Sequence, residues 1–167
     1  GTKEDELENT LKSYAINLNQ STNAAGDYVF QFEPTQLEFN KTIWHIDSDP
    51  NLNHSIVYRK KQGDFVIENL RLYSDDSSLL VKEGNFKSGS DFELNAEVNN
   101  LQISKLFDMT QGGNSMDFKG IANGNLHIKM HEKILAPIID LTVKDMKMGD
   151  KDMGELIVTA KNSDTPN

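Results

Sequence analysis

The chain has 167 residues, enough for one domain and at most a small second one. It carries 17 Lys+Arg against 26 Asp+Glu, a formal charge of −9. That balance excludes the basic stripe a nucleic-acid interface needs and argues against docking on an anionic membrane by net charge alone. Without cysteine there are no disulfides, Cys-ligated zinc or thiol catalysis, and a hydrophobic share of 37 % points to a thin core.

The longest unbroken apolar run, Ile134 to Ile139, is far short of the roughly 20 residues a spanning helix needs. No basic stretch followed by an apolar one opens the chain, so no signal peptide is expected. Gly1 reads as a tag scar on a segment of a longer protein.

In chain order, Lys3 to Asn19 carries a helical pattern, with Leu7, Leu11, Tyr14 and Leu18 three or four apart behind an acidic front. Gln20 to Asp27 reads as a polar loop. From Tyr28 the period becomes two: Phe30/Phe32, Leu37/Phe39, Trp44/Ile46, Phe65/Ile67, Leu94/Ala96/Val98, Leu126/Ile128/Met130, Leu141/Val143 and Leu156/Val158/Ala160. Such alternation marks strands with one buried and one wet face. Turn-forming groups such as Asp49-Pro50-Asn51, Gln62-Gly63-Asp64 and Gly149-Asp150 separate them. Asp117 to Met130 is the longest strand expected, and Ser104 caps a single helical turn running to Met109. The regions are therefore 1–27 helix and loop, 28–161 strand repeats, and 162–167 a polar tail.

One phrase recurs. Phe65-x-Ile67-x-x-Leu70-x-Leu72 has the same form as Ala96-x-Val98-x-x-Leu101-x-Ile103 and Leu141-x-Val143-x-x-Met146-x-Met148. Each time the apolar parity flips across two polar residues, Glu68-Asn69, Asn99-Asn100 or Lys144-Asp145. A strand whose buried positions switch parity in mid-course must bulge or bend there.

Candidate chemistry is sparse. His127 and His131 share a strand face, but it is the polar one opposite Leu126 and Ile128, and no third ligand is evident. Asp47-x-Asp49-x-Asn51-x-Asn53 resembles the start of a calcium loop yet has Leu52 at the glycine position and Tyr58 at the terminal acid position. It reads as a polar turn. No nucleophile elbow, P-loop or dinucleotide fingerprint occurs, so the chain reads as non-enzymatic, with neither metal nor cofactor. Trp44 is a core anchor or a groove wall. Met146, Met148 and Met153 are flexible lining or gap-filling.

The strand phrases resemble those of the AsmA-like superfamily, and in particular its TamB-type members, the inner-membrane subunits of the translocation and assembly module. The similar phrases are Leu37 to Ile46, Phe65 to Leu72, Phe92 to Leu101, Phe118-Lys-Gly120 through Gly124-Asn-Leu126-His-Ile128, Ala136-Pro137 through Val143, and Met153-Gly154-Glu-Leu156. The resemblance covers residues 28 to 161 and leaves the helical stretch unmatched. It implies a mainly β protein, an elongated curled antiparallel sheet with an open apolar groove, to which the spacing of Leu7, Leu11, Tyr14 and Leu18 adds a short N-terminal helix. It further implies a periplasmic segment of an inner-membrane-anchored protein in a Gram-negative envelope. Such a segment carries phospholipid towards the outer membrane, or helps assemble outer-membrane proteins with a partner β-barrel.

On that basis the groove-lining candidates are Trp44, Phe65, Ile67, Leu94, Val98, Leu126, Ile128, Leu141, Val143, Leu156 and Val158, facing phospholipid acyl chains. The same alternation also fits a closed core, and the sequence leaves the two open. A second reading is an interaction module that pairs its edge strands with client β-strands, with edge-to-edge self-association as a corollary. A glycan-binding sandwich is weakened by a single Trp and only 4 Tyr.

Overall fold

The computed structural model describes residues 11–87, 91–106, 110–111, 114–115 and 118–161. Its strands are β1 (Leu11–Ala15), β2 (Leu18–Thr22), β3 (Tyr28–Phe32), β4 (Thr35–Phe39), β5 (Thr42–Ile46), β6 (Ser55–Arg59), β7 (Asp64–Ser74), β8 (Ser77–Lys87) and β9 (Phe92–Gln102). A single 3-10 turn, Ile103–Lys105, follows. Then come β10 (Thr110–Gln111), β11 (Asn114–Ser115), β12 (Phe118–His131), β13 (Ile134–Met148) and β14 (Lys151–Ala160). All but β10 and β11 belong to one antiparallel sheet.

The topology is simpler than twelve strands suggest. β1 and β2 lie end to end and pair with β4 and β3; β5 and β6 in turn pair with β4 and β3, and both then meet β7. From β7 onward each strand pairs with its chain neighbours through to β14. Among the described residues the sheet is thus a meander of nine long strands, the first three interrupted midway.

Every long strand is interrupted or bulged in mid-course, along an oblique line across the sheet. Asn69, Asn100 and Asp145 have positive φ angles of 51°, 46° and 52°. These are the second polar residues of the three recurring phrases. Asn and Asp tolerate the left-handed region because their short side chains satisfy nearby backbone groups. On β9 the register steps from Val98↔Gly124 to Leu101↔Ala122, so β9 holds one residue more than β12. That extra residue explains the parity flip: it returns Leu101 to the face already occupied by Val98. β8 carries an equivalent bulge between Val81 and Glu83.

Polar side chains stitch the interruptions together. Asn17 Nδ2 donates to the Pro34 carbonyl at 3.2 Å, Phe32 N–H to His54 Nε2 at 3.2 Å, and Asn69 Nδ2 to the Asn53 carbonyl at 3.1 Å. His54 is buried, and accepting at Nε2 leaves Nδ1 to donate to the Leu52 carbonyl at 3.0 Å.

Three local expectations need correction. Between Leu11 and Thr22 the chain forms β1 and β2, not a helix or a loop; residues 3 to 10 lie outside the described part. A bulge between Leu11 and Ser13 and a break at Ile16–Asn17 interrupt period two, and the leftover spacings of three and four mimic a helix. The turn after β9 spans Ile103–Lys105, with Gln102 at its cap position and no side-chain cap; residues 107–109 lie outside the described part. β13, at 15 residues, is longer than β12, at 14. Pro137 lies in β13 beyond Ile139↔Ala160, the last pair β13 makes with β14 among the described residues.

The sheet curls. Trp44 of β5 shares a buried apolar cluster with Val98 and Leu101 of β9, Ala122 of β12, and Val143 and Met146 of β13. Among the described residues no second layer covers this face; the core is the inside of the curl.

Candidate functional site

The concave face forms a cavity of about 550 Å³, open on one side, whose walls expose no polar atoms. Leu37 and Phe39 of β4, Trp44, Leu72 of β7 and Leu79 of β8 form one side. Val98, Leu101, Ala122, Leu126, Leu141 and Val143 form the other. Its volume falls within the range of small-molecule sites, about 300–1,000 Å³. Most such sites add a few polar groups to orient a ligand; this one has none, so it selects only for apolar matter.

One end of the cavity is capped by Ile103 and Leu106. Two polar tethers hold that cap. Asn40, in the β4–β5 turn, donates through its side-chain amide to the Leu106 carbonyl. Lys105, only 11 % exposed at its side chain, donates to the Ser74 carbonyl at 2.8 Å and to Asp75 at 3.1 Å.

Towards the other end the same face continues as an open trough. On β9, Phe92, Leu94, Ala96 and Val98 alternate onto it, and Leu94 pairs with Gly84 and Ile128 while Gly84 pairs with Ile67. All but Ala96 and Gly84 are half-buried or more exposed, apart from Val98 at the cavity itself. Near the strand ends a row of large side chains crosses the sheet. Tyr28 lies opposite Tyr58, Tyr58 opposite Phe65, Phe65 opposite Phe86, and Phe86 opposite Phe92. Met130 and Leu135 extend the row onto β12 and β13. The Phe86 and Phe92 rings stack at 5.6 Å and Tyr58 meets Phe65 at 5.0 Å, geometries that add to area burial.

Protein-family models, curated proteins and solved structures offer no match to this chain. The site must therefore be read from its own geometry.

Five of the expected lining residues, Trp44, Val98, Leu126, Leu141 and Val143, line the cavity. Ile67, Leu94 and Ile128 occupy the open trough. Phe65 sits at its rim, 44 % exposed. Leu156 and Val158 pair with Val143 and Leu141 on edge strand β14, beyond the cavity. Sequence reasoning omitted Leu37, Phe39, Leu72, Leu79, Leu101, Ile103, Leu106 and Ala122. Leu72, Leu101 and Ile103 were legible, because they follow the parity flips and carrying the face across each bulge brings them inward. Leu79 sits in the non-alternating run Leu79-Leu80-Val81 and gave no signal.

The opposite face holds the charge. His127 Nε2 lies 2.8 Å from Glu93, and His131 Nδ1 lies 3.1 Å from Asp91. Among the described residues no group of three His, Cys, Asp or Glu is placed to hold a metal ion. The Asp47–Asn51 stretch is a pair of Asx turns, with Asp47 also 3.0 Å from Arg71. Asp64 is fully buried and accepts from Arg59 Nε at 2.8 Å and Asn85 Nδ2 at 3.1 Å. The Arg59 hydrogen bond holds its carboxyl below the usual range.

Proposed function

We propose that the trough holds the acyl chains of phospholipid and that the chain is a non-enzymatic lipid-conducting segment. The observation that carries this reading is a cavity without polar wall atoms that runs on into an apolar, half-exposed strand face. An apolar occupant covers wall that would otherwise face water, and at about 0.8 kcal/mol per methylene ten carbons gain roughly 8 kcal/mol before ordering costs. Walls without polar anchors leave a chain free to slide.

The resemblance of the strand phrases to TamB-type proteins extends this proposal to an inner-membrane-anchored periplasmic protein. Its conduit would serve phospholipid movement between the two membranes or outer-membrane protein assembly with a partner barrel. A second reading, pairing with client β-strands, draws on β14, an edge strand with Met153, Leu156 and Ile157 exposed.

Trp44 supplies the test, being the sole tryptophan and part of the cavity wall. Monomeric short-chain phosphatidylcholine brominated on its acyl chains should quench its fluorescence saturably, and Leu126→Gln should weaken the effect at least tenfold while keeping the native circular dichroism. Absence of quenching at saturating lipid would sink the acyl-chain reading and shift weight to the β14 edge.

A further inference from the structure

The two ends of the trough differ in their side chains. At the capped end, the turns mix Asp75, Asp76 and Asp150 with the exposed Lys41 and Lys151. At the open end, the hairpin tips present Lys60, Lys61, Lys87 and Lys133, all exposed. Of the carboxylates at that end, Asp27 accepts from the Lys60 amide at 3.1 Å and Asp91 from the Glu132 amide at 3.1 Å, while the Glu132 side chain is exposed between His131 and Lys133. Just inside the lysines runs the aromatic row, and Lys60 Nζ stands 3.9 Å over the Tyr28 ring. Beside it Ile134 and Leu135 project at the β12–β13 tip, 67 % and 53 % exposed.

Aromatic rings flanked by lysines and apolar tips form the arrangement that settles at a bilayer interface. Rings sit at headgroup depth, lysines meet phosphates, and isoleucine and leucine reach the acyl region. The net charge of −9 does not oppose this, because at physiological salt a charge acts over about 8 Å. Only the tips come that close. The dimensions also match. From Phe92 at the rim to Val98 at the cavity is six residues of strand, about 20 Å at ~3.3 Å each. One leaflet's hydrocarbon is about 15 Å deep, half of the ~30 Å core.

We propose that the lysine-tipped, aromatic end of the sheet seats on an anionic phospholipid bilayer, so that an acyl chain leaving the leaflet enters the trough along β9. The acyl-entry half of this inference rests on the lipid-binding reading above; the seating does not.

The test is flotation of the full chain with vesicles of phosphatidylcholine containing one third phosphatidylglycerol, beside the monomeric-lipid quenching of Trp44. The wild type should float, and less so as salt rises. Ile134→Ser and Lys60→Glu/Lys61→Glu, all at exposed positions, should each cut the floated fraction at least fivefold while leaving Trp44 quenching by monomeric lipid unchanged. A chain that is quenched by monomeric lipid yet fails to float refutes the seat and spares the cavity. A chain that floats without being quenched keeps the seat and refutes the cavity reading. Tip variants that float like the wild type, or a dimer in sedimentation that the Ile134→Ser variant dissolves without any wild-type flotation, overturn the proposal. The dimer outcome would assign the rim to a second copy.

Discussion

The backbone N–H of Asn100 on β9 donates to the side-chain oxygen of Asn123 on β12 at 2.9 Å. Both residues belong to the interruption between these strands, where β9 carries its extra residue. The bond fastens one strand's bend to the next, so the line of bends acts as a shared crease rather than a series of separate defects. With Asn100 at φ 46°, a β-branched residue there is strained. Asn100→Val should cost about 1–2 kcal/mol, and Asn100→Gly should be near neutral. At this chain length that is a Tm loss of roughly 2–8 °C for valine, measurable by thermal melts of the two variants side by side.

Gly124 is a harsher case. Its φ is 144°, and a Cβ built there would lie 2.0 Å from the Asp140 carbonyl oxygen. Gly124→Ala should fail to fold or lose more than about 4 kcal/mol. Gly63→Ala, in a turn with φ 69° and open space around it, should lose about 1 kcal/mol. Soluble yield and urea midpoints of the pair check the contrast; equal midpoints would mean that β13 can move away from β12.

How much of this was legible in the chain itself can be argued from these residues. Glu68-Asn69, Asn99-Asn100 and Lys144-Asp145 announced the bends because a parity flip has a single cheap explanation in a strand. The concave residues Val98, Leu126 and Leu141 were legible for the same reason, since alternation declares a face. What alternation does not declare is curvature. Nothing in Leu37 or Leu79 says that β4 and β8 will look at the same cavity, because that depends on how far the sheet coils. The aromatic row was equally hidden: Tyr28, Tyr58, Phe65, Phe86 and Phe92 sit on five strands, and only the register aligns them.

Trp44 is 5 % exposed, and its indole Nε1 is the one buried side-chain polar atom among the described residues with no hydrogen-bond partner. Trp44→Phe removes that unpaired donor, which offsets the lost contact area. The substitution should cost less than about 1.5 kcal/mol, whereas Trp44→Ala should cost about 3–5 kcal/mol. Urea titrations followed by circular dichroism decide it. A phenylalanine variant as unstable as the alanine one would show that Nε1 makes a bond in solution.

Acid should loosen the sheet at identifiable places. Asp64 is held below its ordinary value by Arg59, Asp91 by the Glu132 amide and then His131, and Glu97 by Lys82. A depressed folded pKa contributes stability that is complete above the unfolded value near 4 and disappears as pH falls through the folded value. The share of stability these three carboxylates supply should therefore decline below about pH 4. Asp64→Asn, which keeps Arg59 and Asn85 in place but removes the charge, should shrink that decline. Urea midpoints at pH 7 and pH 3.5 measure it; an unchanged difference in the variant would remove Asp64 from the account.

In the meander described above, each long strand pairs its backbone, among the described residues, only with the strands before and after it in the chain. Hairpins can therefore zip up one after another before the curl brings Trp44 against Val98 and Val143. The same pairing also makes strand number a free parameter. A hairpin added to or taken from such an array changes how many strands wall the trough while leaving the existing ladders paired, as stacked repeats do in solenoids. The girth of the curl is then set by counting strands, two at a time.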